Sequence, residues 1–185
     1  MLVTEEPLKN LSDQHYYGLK IPTLFEDEYL TGYFGRIAKL NRFENVTKLH
    51  MFLSQKTHQN IARSTPILIC LSKLLQIDPI DLWKNHTAYT FKLENDNPEN
   101  IRDLLARSHY STRNRNFYSS LFCSQCLQDD LERYGYTYWR RVHQTSESKF
   151  CNKHSTIKLY KAFENDRLFY SPAWHLNNEA YRELA

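Results

Sequence analysis

Phe122-Cys123-Ser124-Gln125-Cys126-Leu127 and, beyond a spacer of 24 residues between the inner cysteines, Phe150-Cys151-Asn152-Lys153-His154 decide how this chain folds. Each stretch sets two soft donors on one tight turn, Cys-x2-Cys and then Cys-x2-His, so both donors of a turn can reach one ion. Four such donors close a tetrahedral zinc site and leave no position for water or substrate. Cys123, Cys126, Cys151 and His154 are therefore the predicted ligands of one structural Zn2+ ion. His143 lies inside the same cluster and is the competing fourth ligand, with the spacing favouring His154. The alternative is a set of ordinary cysteines, or a disulfide with an odd thiol left over. The opening residues Met1 to Asn10 carry Glu5 and Glu6 and no apolar run, so no cleavable signal peptide and a reducing compartment are expected, which disfavours disulfides. The fourth cysteine, Cys70, sits in the apolar run Ile67 to Leu71 and reads as a core residue.

The rest of the chain supplies a core and an uneven charge. Its 185 residues, 41% of them apolar, suffice for one medium domain or two small ones. Apolar runs stay far below the roughly 20 residues that span a bilayer, so no membrane segment is expected. The net charge of +3 is mild, yet residues 1–31 hold two basic and six acidic groups, whereas residues 102–161 hold eleven basic and five acidic. Positive charge around the cysteine cluster fits a surface facing phosphates, and it equally fits a solvated face.

Only four glycines occur, which leaves little material for hairpin turns and favours helix in the first half. Between Glu26 and Asn41, Leu30, Tyr33, Phe34, Ile37 and Ala38 recur at the spacing of one buried helical stripe, with Glu26, Asp27 and Glu28 placed to favour the helix N-terminus. Asn45 is a good N-cap for a second helix carrying Val46, Leu49, Phe52 and Leu53. Thr65-Pro66 and Asp78-Pro79 each read as a cap followed by proline at the first helical position. The two helices they open, separated by Gln76-Ile77-Asp78, form either a helix-turn-helix or an ordinary pair in a bundle. In the former, Lys84, Asn85 and His86 are the candidate contacts. Tyr89 to Asn100 reads as a polar linker, with a boundary near residue 95 and a further helix over 98–107 bearing Ile101, Leu104 and Leu105.

Within the cysteine cluster the pattern predicts a short helix over Asp129 to Tyr134, a stop at Gly135 and a strand over Tyr136 to Arg141. Tyr138, Trp139 and Phe150 are its expected core, too small to fold without metal. Arg113, Arg115, Arg140, Arg141, Lys149 and Lys153 form the expected exposed positive set, suited to nucleic acid or to a protein interface. The expected architecture is mainly α: a mobile arm over residues 1–20, a helix-turn-helix-like helical domain over 21–95, a Cys3His zinc module with short strands over 96–161, and a C-terminal segment, 162–185, packing on that module.

Phe122 to Leu127, Tyr134-Gly135-Tyr136-Thr137-Tyr138-Trp139-Arg140-Arg141-Val142-His143-Gln144 and Phe150 to His154 together resemble the zinc-finger signature of the TniQ/TnsD family. Ile21-Pro22, Glu28-Tyr29-Leu30, Gly35-Arg36-Ile37-Ala38 and Asn41 are similar to that family's opening. The resemblance implies a non-catalytic target-selection protein of a cut-and-paste DNA transposon. Such proteins link target DNA, or a CRISPR RNA-guided effector complex, to a TnsC-type AAA+ ATPase, and the implied location is cytoplasmic, with the nucleoid when bound to DNA. Ser124 and Ser155 stand where the family commonly has proline and glycine, and no cysteine follows Cys151. The chain thus reads as a compact member or as the N-terminal portion of a longer one.

An enzyme is not expected. The chain holds no Gly-x4-Gly-Lys loop, His-Glu-x2-His helix or deaminase His-x-Glu with Pro-Cys-x2-Cys, and the adjacent Asp129 and Asp130 diverge on a helix. The alternative function is a stand-alone, sequence-specific DNA-binding regulator with a structural zinc.

Overall fold

Leu30, Tyr33, Phe34, Ile37 and Ala38 form the buried stripe of α1 (Leu30–Leu40) as their spacing predicts. The computed structural model describes residues 18–56, 67–87, 120–144, 149–162, 170–177 and 181–183. The helix begins later than expected: Tyr29 is its extended N-cap, and no acidic residue lies in the first turn. Glu26 to Glu28 instead run ahead of it, and Glu28 pairs with Arg140 in an isolated antiparallel bridge.

The next three helices follow their punctuation. α2 (Val46–Lys56) starts after Asn45, whose side-chain oxygen accepts from the Lys48 amide at 3.0 Å. α3 (Ile67–Leu75) ends at Gln76, which takes the left-handed region with φ 56°. Asp78 then caps α4 (Pro79–His86) by accepting from the Ile80 and Asp81 amides at 2.8 and 3.3 Å. α3 and α4 pack against each other across the break at Gln76 to Asp78, and α1, α2 and α3 pack on one another. Their apolar faces meet in one core that includes Leu49, Leu53, Leu71, Leu82, Trp83 and Cys70. Leu19 joins that core and Lys20 is clasped by Asn41, so the expected arm ends earlier than residue 20. Residues 1–17, Thr65-Pro66, the linker, the boundary near residue 95 and the helix over 98–107 lie outside the described residues.

The second half is a small sheet faced by helices. β1 (Leu121–Phe122), β2 (Tyr160–Ala162) and β3 (Tyr181–Glu183) form an antiparallel sheet in the order β1-β2-β3, with Leu121 opposite Lys161 and Tyr160 opposite Glu183. α5 (Ser124–Tyr134) is longer than the expected helix and starts directly after Cys123. Gly135 stops it with φ 72°, a conformation that favours glycine. The expected strand over Tyr136 to Arg141 does not join the sheet: its one bridge is Arg140 with Glu28, and the chain turns into a 3-10 helix at Arg141–Gln144. There the Gln144 side chain substitutes for a strand partner, accepting from the Leu121 amide at 3.0 Å and donating to its carbonyl at 2.8 Å.

Tyr138 and Trp139 are buried as expected, but Phe150 is 48% exposed. Phe150 bridges Lys158 on the outer turn that carries Cys151, while Phe122, Leu127 and Ala162 pack around Trp139 instead. α6 (Pro172–Asn177) lies against α5, and the Trp139 indole donates to the Tyr170 carbonyl at 2.8 Å. Among the described residues, no helix is long and apolar enough to cross a membrane.

Candidate metal centre

Two different turns deliver the four predicted ligands. Cys123 is the N-cap of α5 and Cys126 lies in its first turn, where the helix dipole favours a thiolate. Cys151 and His154 sit on a tight turn closed by the Cys151 amide to the Ile157 carbonyl at 2.9 Å and the Ile157 amide to the His154 carbonyl at 2.7 Å. The His154 amide also donates to the Cys151 sulfur at 3.3 Å.

The three sulfurs and one imidazole nitrogen all lie within 4.8 Å of one another, and the cysteines are buried. A tetrahedral zinc ion requires roughly 3.8 Å between sulfurs and roughly 3.6 Å between sulfur and nitrogen, from its bond lengths. The Cys126 and Cys151 sulfurs are 3.6 Å apart, and His154 Nδ1 stands 3.6, 3.4 and 3.7 Å from those of Cys123, Cys126 and Cys151. The donor set and its spacing therefore fit one tetrahedral ion, which these residues could hold.

A second layer orients the ligands. His154 Nε2 lies 3.3 Å from Asp129 Oδ2, an arrangement that fixes the ring with Nδ1 turned to the metal position. Lys153 pairs with the same carboxylate. His143, the competing ligand, is outside the donor cluster; it is buried with Nε2 3.4 Å from the Cys151 sulfur. Burial, reinforced by the Arg140 charge, pulls its pKa down to about 3, so the neutral ring can donate one hydrogen bond to that sulfur. Asp129 and His143 thus gain roles that spacing alone did not assign. Cys70 is remote in the helical core, where burial pushes its thiol up to about 11 and keeps it inert.

The expected positive surface divides. Arg140 and Arg141 are only partly exposed: the Arg140 side chain is held within the metal module, and that of Arg141 joins the module to the helical half. Arg140 pairs with buried Asp130 at 2.5 Å and lies over the Tyr138 ring, while Arg141 donates to the Lys84 carbonyl at 2.6 Å and faces Asp27. Backbone contacts run beside them, from the Tyr29 amide to the Trp139 carbonyl at 2.7 Å and from the Arg141 amide to the Asp27 carbonyl at 2.8 Å. Glu28 is buried in this seam and takes a two-pronged bond from Arg36, at 3.0 and 2.5 Å. His86, a candidate contact of α4, is turned inward with Nδ1 3.0 Å from the Glu28 carbonyl. Lys149 and Lys153 remain exposed, and Arg113 and Arg115 lie outside the described residues.

The family model named TniQ matches residues 20–157, a stretch that takes in the helical half, the seam and all four ligands. The chain belongs to the TniQ family. Neither a curated protein nor a solved structure matches it. TniQ membership supports a transposition-associated, DNA-binding adaptor role, in a family without catalysis of its own.

Proposed function

We propose that this TniQ-family chain selects the target site of a DNA transposon by linking target DNA, or a CRISPR RNA-guided effector complex, to a TnsC-type AAA+ ATPase. The observation that carries the reading is the single family match running from the helical half through the metal turns. The seam gives this match a physical sense, because an adaptor must hold two binding surfaces in fixed relation. Cys123, Cys126, Cys151 and His154 would hold one zinc ion, whose work is to shape the module. With Arg140 held within the module and Arg141 at the seam, phosphate contact falls to Lys149 and Lys153, together with Arg113 and Arg115.

A pull-down of the cognate ATPase on DNA, with metal content measured on the same sample, tests this. The adaptor is expected to bind DNA weakly alone and to retain the ATPase when loaded with zinc. Tight sequence-specific DNA binding that falls steeply with salt, without ATPase retention, would replace it with the stand-alone regulator.

A further inference from the structure

The turn that carries Cys151 and His154 also presents an aromatic ring to solvent. The Cys151 amide donates to the Ile157 carbonyl at 2.9 Å and the Leu159 amide to the Lys149 carbonyl at 2.9 Å, which makes Phe150 and Lys158 a non-hydrogen-bonded antiparallel pair. In such a pair the two side chains stand on one face and approach closely. The next residues along each strand, Cys151 and Leu159, alternate to the opposite face and are buried, so Phe150 and Lys158 point outward. Phe150 is exposed, Lys158 is partly exposed, and Lys149, just ahead of the ring, is exposed as well. Among the described residues neither Lys149 nor Lys158 is paired with a carboxylate, whereas Lys153 is tied to Asp129.

The cluster around the cysteines closes with Leu121, Ile157 and Leu159 and without Phe150, so the ring is not needed to shape the metal turns. A ring beside two unpaired cations has the chemistry of a strand seat: a base stacks on its π-face while the ammonium groups meet the neighbouring phosphates. A duplex fits less well, because reaching a base there means unstacking a step, at a cost that one stacked base does not recover. A protein partner also fits less well, since Asn152, Ser155 and Thr156 on the same turn are exposed and polar and build no apolar patch around the ring. We infer that the outer ligand turn, residues 149–158, is a seat for an unpaired nucleic-acid strand, with Phe150 stacking on a base and Lys149 and Lys158 contacting the flanking phosphates. The inference rests on the nucleic-acid side of the proposed function and adds to it the state of the strand and the ring that contacts it.

Fluorescence anisotropy of the full zinc-loaded chain with a labelled thymidine oligomer, and with a duplex of the same length, provides the test. The oligomer is expected to bind more tightly than the duplex. Phe150→Leu, which keeps the bulk and loses the π-face, should weaken oligomer binding about tenfold, and Phe150→Tyr should hold it within about twofold. Lys149→Ala with Lys158→Ala should lower the slope of log affinity against log salt by about 1.4, the counterion release from two phosphates of a single strand. Zinc content measured on every variant separates a lost contact from a lost fold. Equal oligomer binding by Phe150→Leu and wild type, or tighter binding of the duplex, would overturn the proposal. Unchanged oligomer binding in Phe150→Leu with loss of the ATPase would overturn it in favour of a protein contact. Wild type that binds the oligomer through Phe150 yet fails to retain the ATPase would instead sink the adaptor reading and leave the strand seat standing.

Discussion

The helical half and the metal module reach stability by different means, and the contrast shows where each is vulnerable. In the helical half, one cluster of fourteen buried residues gathers the stripes of four helices. In the module, the described residues form two smaller clusters of five buried residues each, one around Trp139 and one around the cysteines. So small a core is the usual circumstance in which a metal ion completes a fold. The helical half needs no such ion. Its weak point is the seam, where buried charge and close packing join it to the module.

Chelation should expose this difference most strongly. Removing the ion, or changing Cys126 to Ser, is expected to unfold the module while α1 to α4 keep their helical signal, because structural zinc contributes on the order of 10 kcal/mol. Circular dichroism with amide exchange across Leu121 to Ala162 would read it. Simultaneous loss of protection in α1 and α3 would break the contrast and make the two halves one cooperative unit.

Arg140→Ala comes next. It strips buried Asp130 of its ion-pair partner and is expected to cost about 3 kcal/mol in denaturant unfolding. Lys153, 56% exposed, pairs with Asp129 on the surface, and Lys153→Ala should cost well under 1 kcal/mol. Equal costs would return Arg140 to the idle surface that its sequence context suggests.

That contrast marks the limit of what the sequence shows. Local signals are legible: the paired ligand turns, the caps at Asn45 and Asp78, the stop at Gly135 and the stripe of α1 all act within a few residues. The seam is not legible, because its partners lie far apart along the chain. Glu28 reads as the acidic start of a helix until Arg140 is brought beside it, and Arg140 and Arg141 read as surface charge until Asp130, Asp27 and the Lys84 carbonyl enclose them. Phe150 reads as core by its type, yet the outer ligand turn needs no apolar filling. At the metal site, spacing named the four donors, while Asp129 and His143 required three dimensions.

Gly32 probes the seam by shape. A β-carbon there would lie 2.6 Å from Trp139 Cδ1 and 2.9 Å from its Cβ, so the indole packs directly on the α1 backbone. Gly32→Ala is expected to destabilise by about 2 kcal/mol, as overpacking outweighs the gain in helix propensity. A rise in Tm would mean that the module yields at the seam.

The smallest effect is the dependence of the seam on pH. Burial, opposed by Arg36, pushes the Glu28 carboxyl from 4.5 up to about 7. The folded chain therefore holds this proton more tightly than the unfolded chain. Its contribution to stability is largest below about 4.5 and falls as pH rises towards about 7. Asp130, raised to about 6 by burial against the pull of Arg140, adds a slope of the same sign. His86, lowered by burial, adds one of the opposite sign, so a raw stability curve mixes them. The informative quantity is the difference from Glu28→Gln, which keeps the side chain's shape and cannot titrate. Between pH 5 and pH 7.5, wild type is expected to lose on the order of 1–2 kcal/mol relative to Glu28→Gln in denaturant midpoints. Parallel curves would mean that Glu28 stays ionised throughout, with the Arg36 fork outweighing burial and the seam joined by a full ion pair.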